Sequence, residues 1–172
     1  MWRPHLLKDV NNLERIQRHA TKYILSDYTN DYKSRLINLN LLPLMYMYEI
    51  ADILFLIKSL RNPTSSFNIN NYITFFTGSS RLAKSHKLQH SYNSNNISRH
   101  SYFNRICRLW NTLPVINLDY PIGIIKKQLK TFLFNYFITN FDPASCSFHF
   151  LCPCSRCQSL PRSPNFNNMP TL

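Results

Sequence analysis

The sequence predicts a mainly α fold: a small helical bundle with a long polar loop and a disordered, Cys- and Pro-rich C-terminal tail. Three observations carry this. Apolar residues recur at helical spacing through residues 12–60 and again through 101–137. Between them, residues 62–98 lose that period and fill with Asn, Ser, Thr and His. After Asn140 the helical signals stop, and Pro161, Pro164 and Pro170 punctuate the end. At 172 residues, 44% hydrophobic and 14% aromatic, the chain suits one domain with a sizeable core. Four regions follow: a helical region 1–61, a polar basic and partly disordered loop 62–98, two amphipathic helices in 99–138, and a tail 139–172.

The first expected helix covers 12–25. Asn11 or Asn12 caps it, and Glu14 falls in the first turn, where the helix dipole favours an acid. Leu13, Ile16, Ala20, Tyr23 and Ile24 form its expected apolar face. Arg15, Arg18 and Lys22 form a basic stripe, against which stands the ordinary alternative of a solvated face. A break follows at 26–30. Asp31 then caps a short helix through Leu39, with Leu36 and Leu39 inward.

Pro43 opens the expected longest helix, from Leu44 to Leu60, which is apolar around much of its circumference and so belongs at the centre. Asn62-Pro63 ends it. Within the polar loop, a short strand is expected around Tyr72–Phe76. The next helix, SYFNRICRLWNTLP from Ser101 to Pro114, carries Phe103, Ile106, Leu109 and Trp110 on one side and Arg105 and Arg108 on the adjacent side. The last helix runs from about Pro121 to Phe137. Ile125, Leu129, Phe132, Leu133 and Tyr136 line one face, and Lys126, Lys127 and Lys130 line the other.

The charge points to a polyanion. Formal net charge is +12. Residues 1–52 hold seven basic and six acidic side chains, and the remainder thirteen and two. From Ile53 to Ile116 there is no Asp or Glu, while Lys58, Arg61, Arg81, Lys84, Lys87, Arg99, Arg105 and Arg108 are present. Such an excess suits RNA or single-stranded DNA. The expected contacts are Arg15, Arg18, Lys22, Arg81, Lys84, Lys87, Arg99, Arg105, Arg108, Lys126, Lys127 and Lys130.

Several function classes drop out. Gly78 and Gly123 are the only glycines, so a Gly-rich phosphate loop cannot be built. The eight carboxylates show no spacing suited to a two-metal site; Asp27/Asp31 and Glu49/Asp52 read as helix-end and surface acids. His86 and His90 lie four apart without a carboxylate to complete a metalloprotease set. No catalytic residue is expected. No secretory signal or long apolar span is visible, so an intracellular chain, nuclear or cytoplasmic, with no membrane partner is expected.

Cys146, His149, Cys152, Cys154 and Cys157 fall within twelve residues as C-x2-H-x2-C-x-C-x2-C. Thiolates and an imidazole this close form a candidate structural zinc site, and Cys154-x2-Cys157 has knuckle spacing. The alternative is a reduced Cys-rich tail. No other cofactor is expected.

Several blocks, in order, resemble one family. LERIQRHATKYIL (13–25), DYKSRLINLNLLPL (31–44) with YEIADILFLIKSL (48–60), RHSYFNRICRLWNTLP (99–114) and IIKKQLKTFL (124–133) are similar to segments downstream of the polymerase domain in LINE-type, Jockey-like non-LTR retrotransposon reverse transcriptases. The resemblance covers about residues 1–138. It implies a helical, nucleic-acid-contacting region beyond the polymerase core, with Arg15, Arg18, Arg105, Arg108 and Trp110 on recurrent positions. The family's Asp-Asp motif is absent, its endonuclease is absent, and Ile125 replaces the usual Phe of the last helix. The expectation is a non-catalytic terminal fragment that binds nucleic acid weakly and without sequence preference. The alternatives are a helical interaction module that docks on the polymerase domain through faces around Leu54, Trp110 and Phe132, or a pseudogene product without function.

Overall fold

In the computed structural model, the residues described are 4, 6–62, 68–76, 87–89 and 101–140. The chain is mainly α, as the apolar periods predict. Five helices occur among the described residues: α1 (Leu7–Leu25), α2 (Tyr32–Asn38), α3 (Leu44–Arg61), α4 (Tyr102–Thr112) and α5 (Ile122–Asn140). Two short strands, β1 (Thr74–Phe75) and β2 (Leu88–Gln89), pair antiparallel with Phe75 opposite Leu88. The expected strand near Tyr72–Phe76 is therefore present. The described residues group into two compact units, one of residues up to Ile50 together with those from Lys126, the other Ala51–Ile125. The divisions fall within α3 and α5.

In the first unit, α1 starts five residues earlier than expected. Leu6 precedes it without a side-chain cap, and Asp9, not Glu14, is the first-turn acid. Ser26 ends α1 in the left-handed region (φ 49°), and the Asp27 amide donates to the Lys22 carbonyl at 3.1 Å. Asp27 then folds the connection, accepting from the amides of Thr29 and Asn30, each at 3.1 Å. These bonds, that of Asn30 foremost, hold its carboxyl down at about 2. Asp31 caps α2 as expected, accepting from the Ser34 amide at 3.3 Å. Asn40 (φ 51°) closes α2, with the Leu41 amide donating to the Leu36 carbonyl at 2.9 Å. At 18 residues α3 is shorter than the 19-residue α1 and α5, so it is not the longest helix. Buried apolar side chains in this unit include Leu36, Leu42, Met45, Ile50, Leu129 and Leu133; Tyr46 meets Phe137 edge-on at 6.1 Å.

In the second unit, Ser101 caps α4 through the Asn104 amide, and Ile106, Leu109 and Trp110 are buried. Phe103 is half-buried and stacks on Tyr72 at 4.7 Å. Asn111, beside the buried tryptophan, acts as a substitute strand: its Oδ1 accepts from the Leu88 amide at 2.8 Å, and its Nδ2 donates to the Leu88 carbonyl at 2.9 Å. One side chain thus satisfies both backbone groups of a β2 residue. At the end of α3, Arg61 Nη2 donates to the carbonyls of Leu118 and Tyr120 and ties down the turn before α5.

No helix among the described residues is long and apolar enough to cross a membrane. The tail and its Cys/His cluster lie outside the described residues, as does most of the polar loop.

Candidate nucleic-acid interface

The orientation of α1 decides which of its sides meets solvent, and polar contacts set it. Val10, Glu14 and Thr21 are buried on its inner side. Glu14 Oε2 accepts from the Tyr32 hydroxyl at 2.7 Å, and its Oε1 accepts from the Met45 amide at 3.3 Å. Glu14 is therefore the remote cap of α3, filling the place that a Ser or Asp usually takes at a helix start. Gln17 Nε2 donates to the Leu42 carbonyl at 3.0 Å. Thr21 accepts from Arg35 Nε at 3.4 Å, and Arg35 Nη1 donates to the Asn30 carbonyl. A buried carboxyl and a buried guanidinium are tolerated because each is hydrogen-bonded.

These anchors turn the expected apolar face of α1 outward. Ile16, Tyr23 and Ile24 are 66, 81 and 64% exposed. Ala20 is exposed with them, and Leu13 is half-buried. The first-helix expectation is thus corrected on two counts: Glu14 is an interior ligand of α3, and the apolar row faces solvent. Sequence reading passed over Gln17 and Thr21 and took Glu14 for a first-turn acid. The available signal was polar side chains at i, i+3 and i+7, the spacing of one helix face.

The expected contact residues fare differently. Arg15 is exposed and Lys22 half-buried on the outer side of α1. Arg18 is half-buried with its guanidinium 5.0 Å from the centre of the Tyr32 ring, a cation–π arrangement that draws it away from the outer row. On α5, Lys126 and Lys127 are exposed and Lys130 is half-buried, opposite the buried Ile125, Leu129, Phe132 and Leu133 as expected. These six side chains belong to the first unit.

In the second unit, Arg108 is exposed and Lys87 is half-buried, its carbonyl accepting from the Phe76 amide at 2.8 Å. Arg105 is engaged inside the unit: its Nε donates to Asp52 Oδ2 at 2.8 Å, and its side chain is 13% exposed. Asp52 and Glu49 are buried, which corrects their reading as surface acids. Arg81, Lys84 and Arg99 lie outside the described residues, as do Cys146, His149, Cys152, Cys154 and Cys157. Among the described residues no group of His, Cys, Asp and Glu could hold a metal. The faces expected to dock on a polymerase domain are mostly interior: Trp110 and Phe132 are buried and Leu54 is half-buried.

Burial sharpens the charge asymmetry. Glu14, Glu49 and Asp52 are at most 1% exposed, whereas among the described cations Arg35 is buried and Arg105, paired with Asp52, is largely enclosed. The surface acids there are Asp9, Asp27, Asp31 and Asp119. Folding therefore withdraws negative charge preferentially and leaves a surface more basic than the composition alone suggests. No protein-family model, curated protein or solved structure matches the chain.

Proposed function

We propose that this chain is a non-catalytic, sequence-tolerant nucleic-acid-binding helical segment, of the kind that follows the polymerase core in LINE-type retrotransposon reverse transcriptases. The family assignment rests on the order of the LERIQRHA, DYKSRL, FNRICRLWNTLP and lysine-rich helix blocks. The binding assignment rests on one observation: Glu14 and Glu49 are withdrawn into the interior of the first unit while Lys8, Arg15, Lys22, Lys126 and Lys127 stay at or near its surface. Cations so placed bind phosphates by displacing condensed counterions, and such binding weakens steeply with salt.

The test is an equilibrium titration of the purified chain against labelled RNA and DNA across a salt series. The proposal requires binding at low salt with a steep negative dependence of log K on log salt. Absence of binding at low salt, or binding indifferent to salt, refutes it.

A further inference from the structure

The outer face of α1 holds two parallel rows. Lys8, Arg15 and Lys22 are heptad-spaced and follow one another at about 10 Å along the helix. About 100° further round the helix, Asp9, Ile16 and Tyr23 form a second row, with Asn12 and His19 between the two and Asp9 confined to the first turn. Tyr23 is 81% exposed, so its ring is open to an incoming planar group.

We infer that this face binds single-stranded nucleic acid, with phosphates along Lys8, Arg15 and Lys22 and an unstacked base against the Tyr23 ring. This rests on the nucleic-acid reading above and adds the face that binds and the stacking residue. A single strand can place its backbone on the cation row and reach a base across Asn12 and His19 to the Tyr23 ring. A duplex keeps its bases stacked inside and offers this face phosphates alone. Base–aromatic stacking accepts any base, which agrees with sequence-tolerant binding.

Charge and shape argue against other occupants. Antiparallel pairing of two copies through Ile16 and Tyr23, about a two-fold axis perpendicular to α1, would lay one cation row along its mate. A membrane-lying helix needs a broad apolar face, whereas the centre of this outer face carries Asn12 and His19, both exposed.

The experiment compares the full chain with Tyr23→Ala and Tyr23→Phe by fluorescence anisotropy, using a labelled oligothymidylate and a blunt duplex of equal length. Circular dichroism melts establish that both variants fold, as expected for so exposed a side chain. Tyr23→Ala is expected to weaken oligothymidylate binding about ten-fold or more. Tyr23→Phe is expected to retain it, and duplex binding is expected to be the same for all three. Wild-type binding that Tyr23→Ala leaves unchanged overturns the inference and spares the broader reading, whereas no wild-type binding to either probe removes both. Equal loss on the duplex overturns it. So does Tyr23-dependent binding to phosphatidylserine vesicles or Tyr23-dependent dimerisation, without an effect on oligothymidylate.

Discussion

The Asp52 carboxylate receives the Arg105 guanidinium through two contacts, Nε to Oδ2 at 2.8 Å and Nη2 to Oδ1 at 3.4 Å, across 53 residues of chain. The Asp52 carbonyl also accepts from the Tyr102 hydroxyl at 3.1 Å, and Tyr102 meets Phe55 edge-on at 5.4 Å. One turn of α3 is thereby fastened to the first turn of α4 by a largely enclosed ion pair and an aromatic clasp. Removing Asp52 leaves the largely enclosed Arg105 guanidinium without its carboxylate. Asp52→Ala is expected to destabilise the chain by about 3–5 kcal/mol. The double replacement Asp52→Leu with Arg105→Met should cost much less, because no unpaired charge remains. Urea unfolding of the single and double variants measures both; equal losses would show that the pair's geometry, not its charge, is what matters.

Glu14 predicts a pH dependence. Burial is the dominant influence and raises its carboxyl above the ordinary 4.5, against the opposing bonds from Tyr32 and the Met45 and Leu44 amides and the Arg18 charge. The hydrogen bonds agree with a protonated form. The single Tyr32 hydroxyl hydrogen serves two acceptors, Glu14 at 2.7 Å and Gln17 Oε1 at 3.0 Å. A protonated Glu14 can donate to the Tyr32 oxygen and leave that hydrogen for Gln17. Because the folded state holds its proton more tightly than the unfolded one, this group's contribution is fully present below 4.5. It is lost as pH rises through the raised value. Glu14→Gln keeps the bonding shape without titrating, so wild type should lose stability relative to it as pH rises above 4.5. Glu14→Ala, which removes the α3 cap and the Tyr32 partner, should be less stable by about 1–3 kcal/mol throughout. Thermal melts at several pH values check both.

Asn111 predicts a local effect. Asn111→Ala leaves the Leu88 amide and carbonyl without their side-chain partners and should cost about 1–3 kcal/mol. Amide hydrogen exchange at Leu88 should accelerate with it. Unchanged exchange would show that β2 is held by its pairing with β1 alone.

Cys107 is buried, and burial pushes its thiol up to about 11. In the native chain at neutral pH it should resist alkylation and react only after denaturation, read by mass spectrometry of the peptide that contains it.

How much of this was legible from sequence depends on whether the deciding contacts are local. Asp31 and Ser101 cap the helices they precede, and the apolar rows of α4 and α5 face inward as their spacing predicts. In those elements the local signal and the packing agree. On α1 they disagree. Its row of Ile16, Ala20, Tyr23 and Ile24 has the period of a packed face, yet Glu14, Gln17 and Thr21 are bound by Tyr32, Met45, Leu42 and Arg35 on other elements. No window within α1 contains those partners. The same holds for Arg105, which composition placed among the phosphate contacts and which Asp52 draws inside. Acids that look like surface residues in a basic sequence are also the ones that interior cations and helix ends recruit.

The most direct test of the central claim is the salt dependence of single-strand binding with and without the outer α1 cations. Arg15→Gln with Lys22→Gln removes two phosphate contacts and should flatten the slope of log K against log salt by about 1.4, at about 0.7 per phosphate. Binding should weaken on every sequence tested. A slope and affinity unchanged by the double replacement would contradict the assignment of nucleic acid to this face.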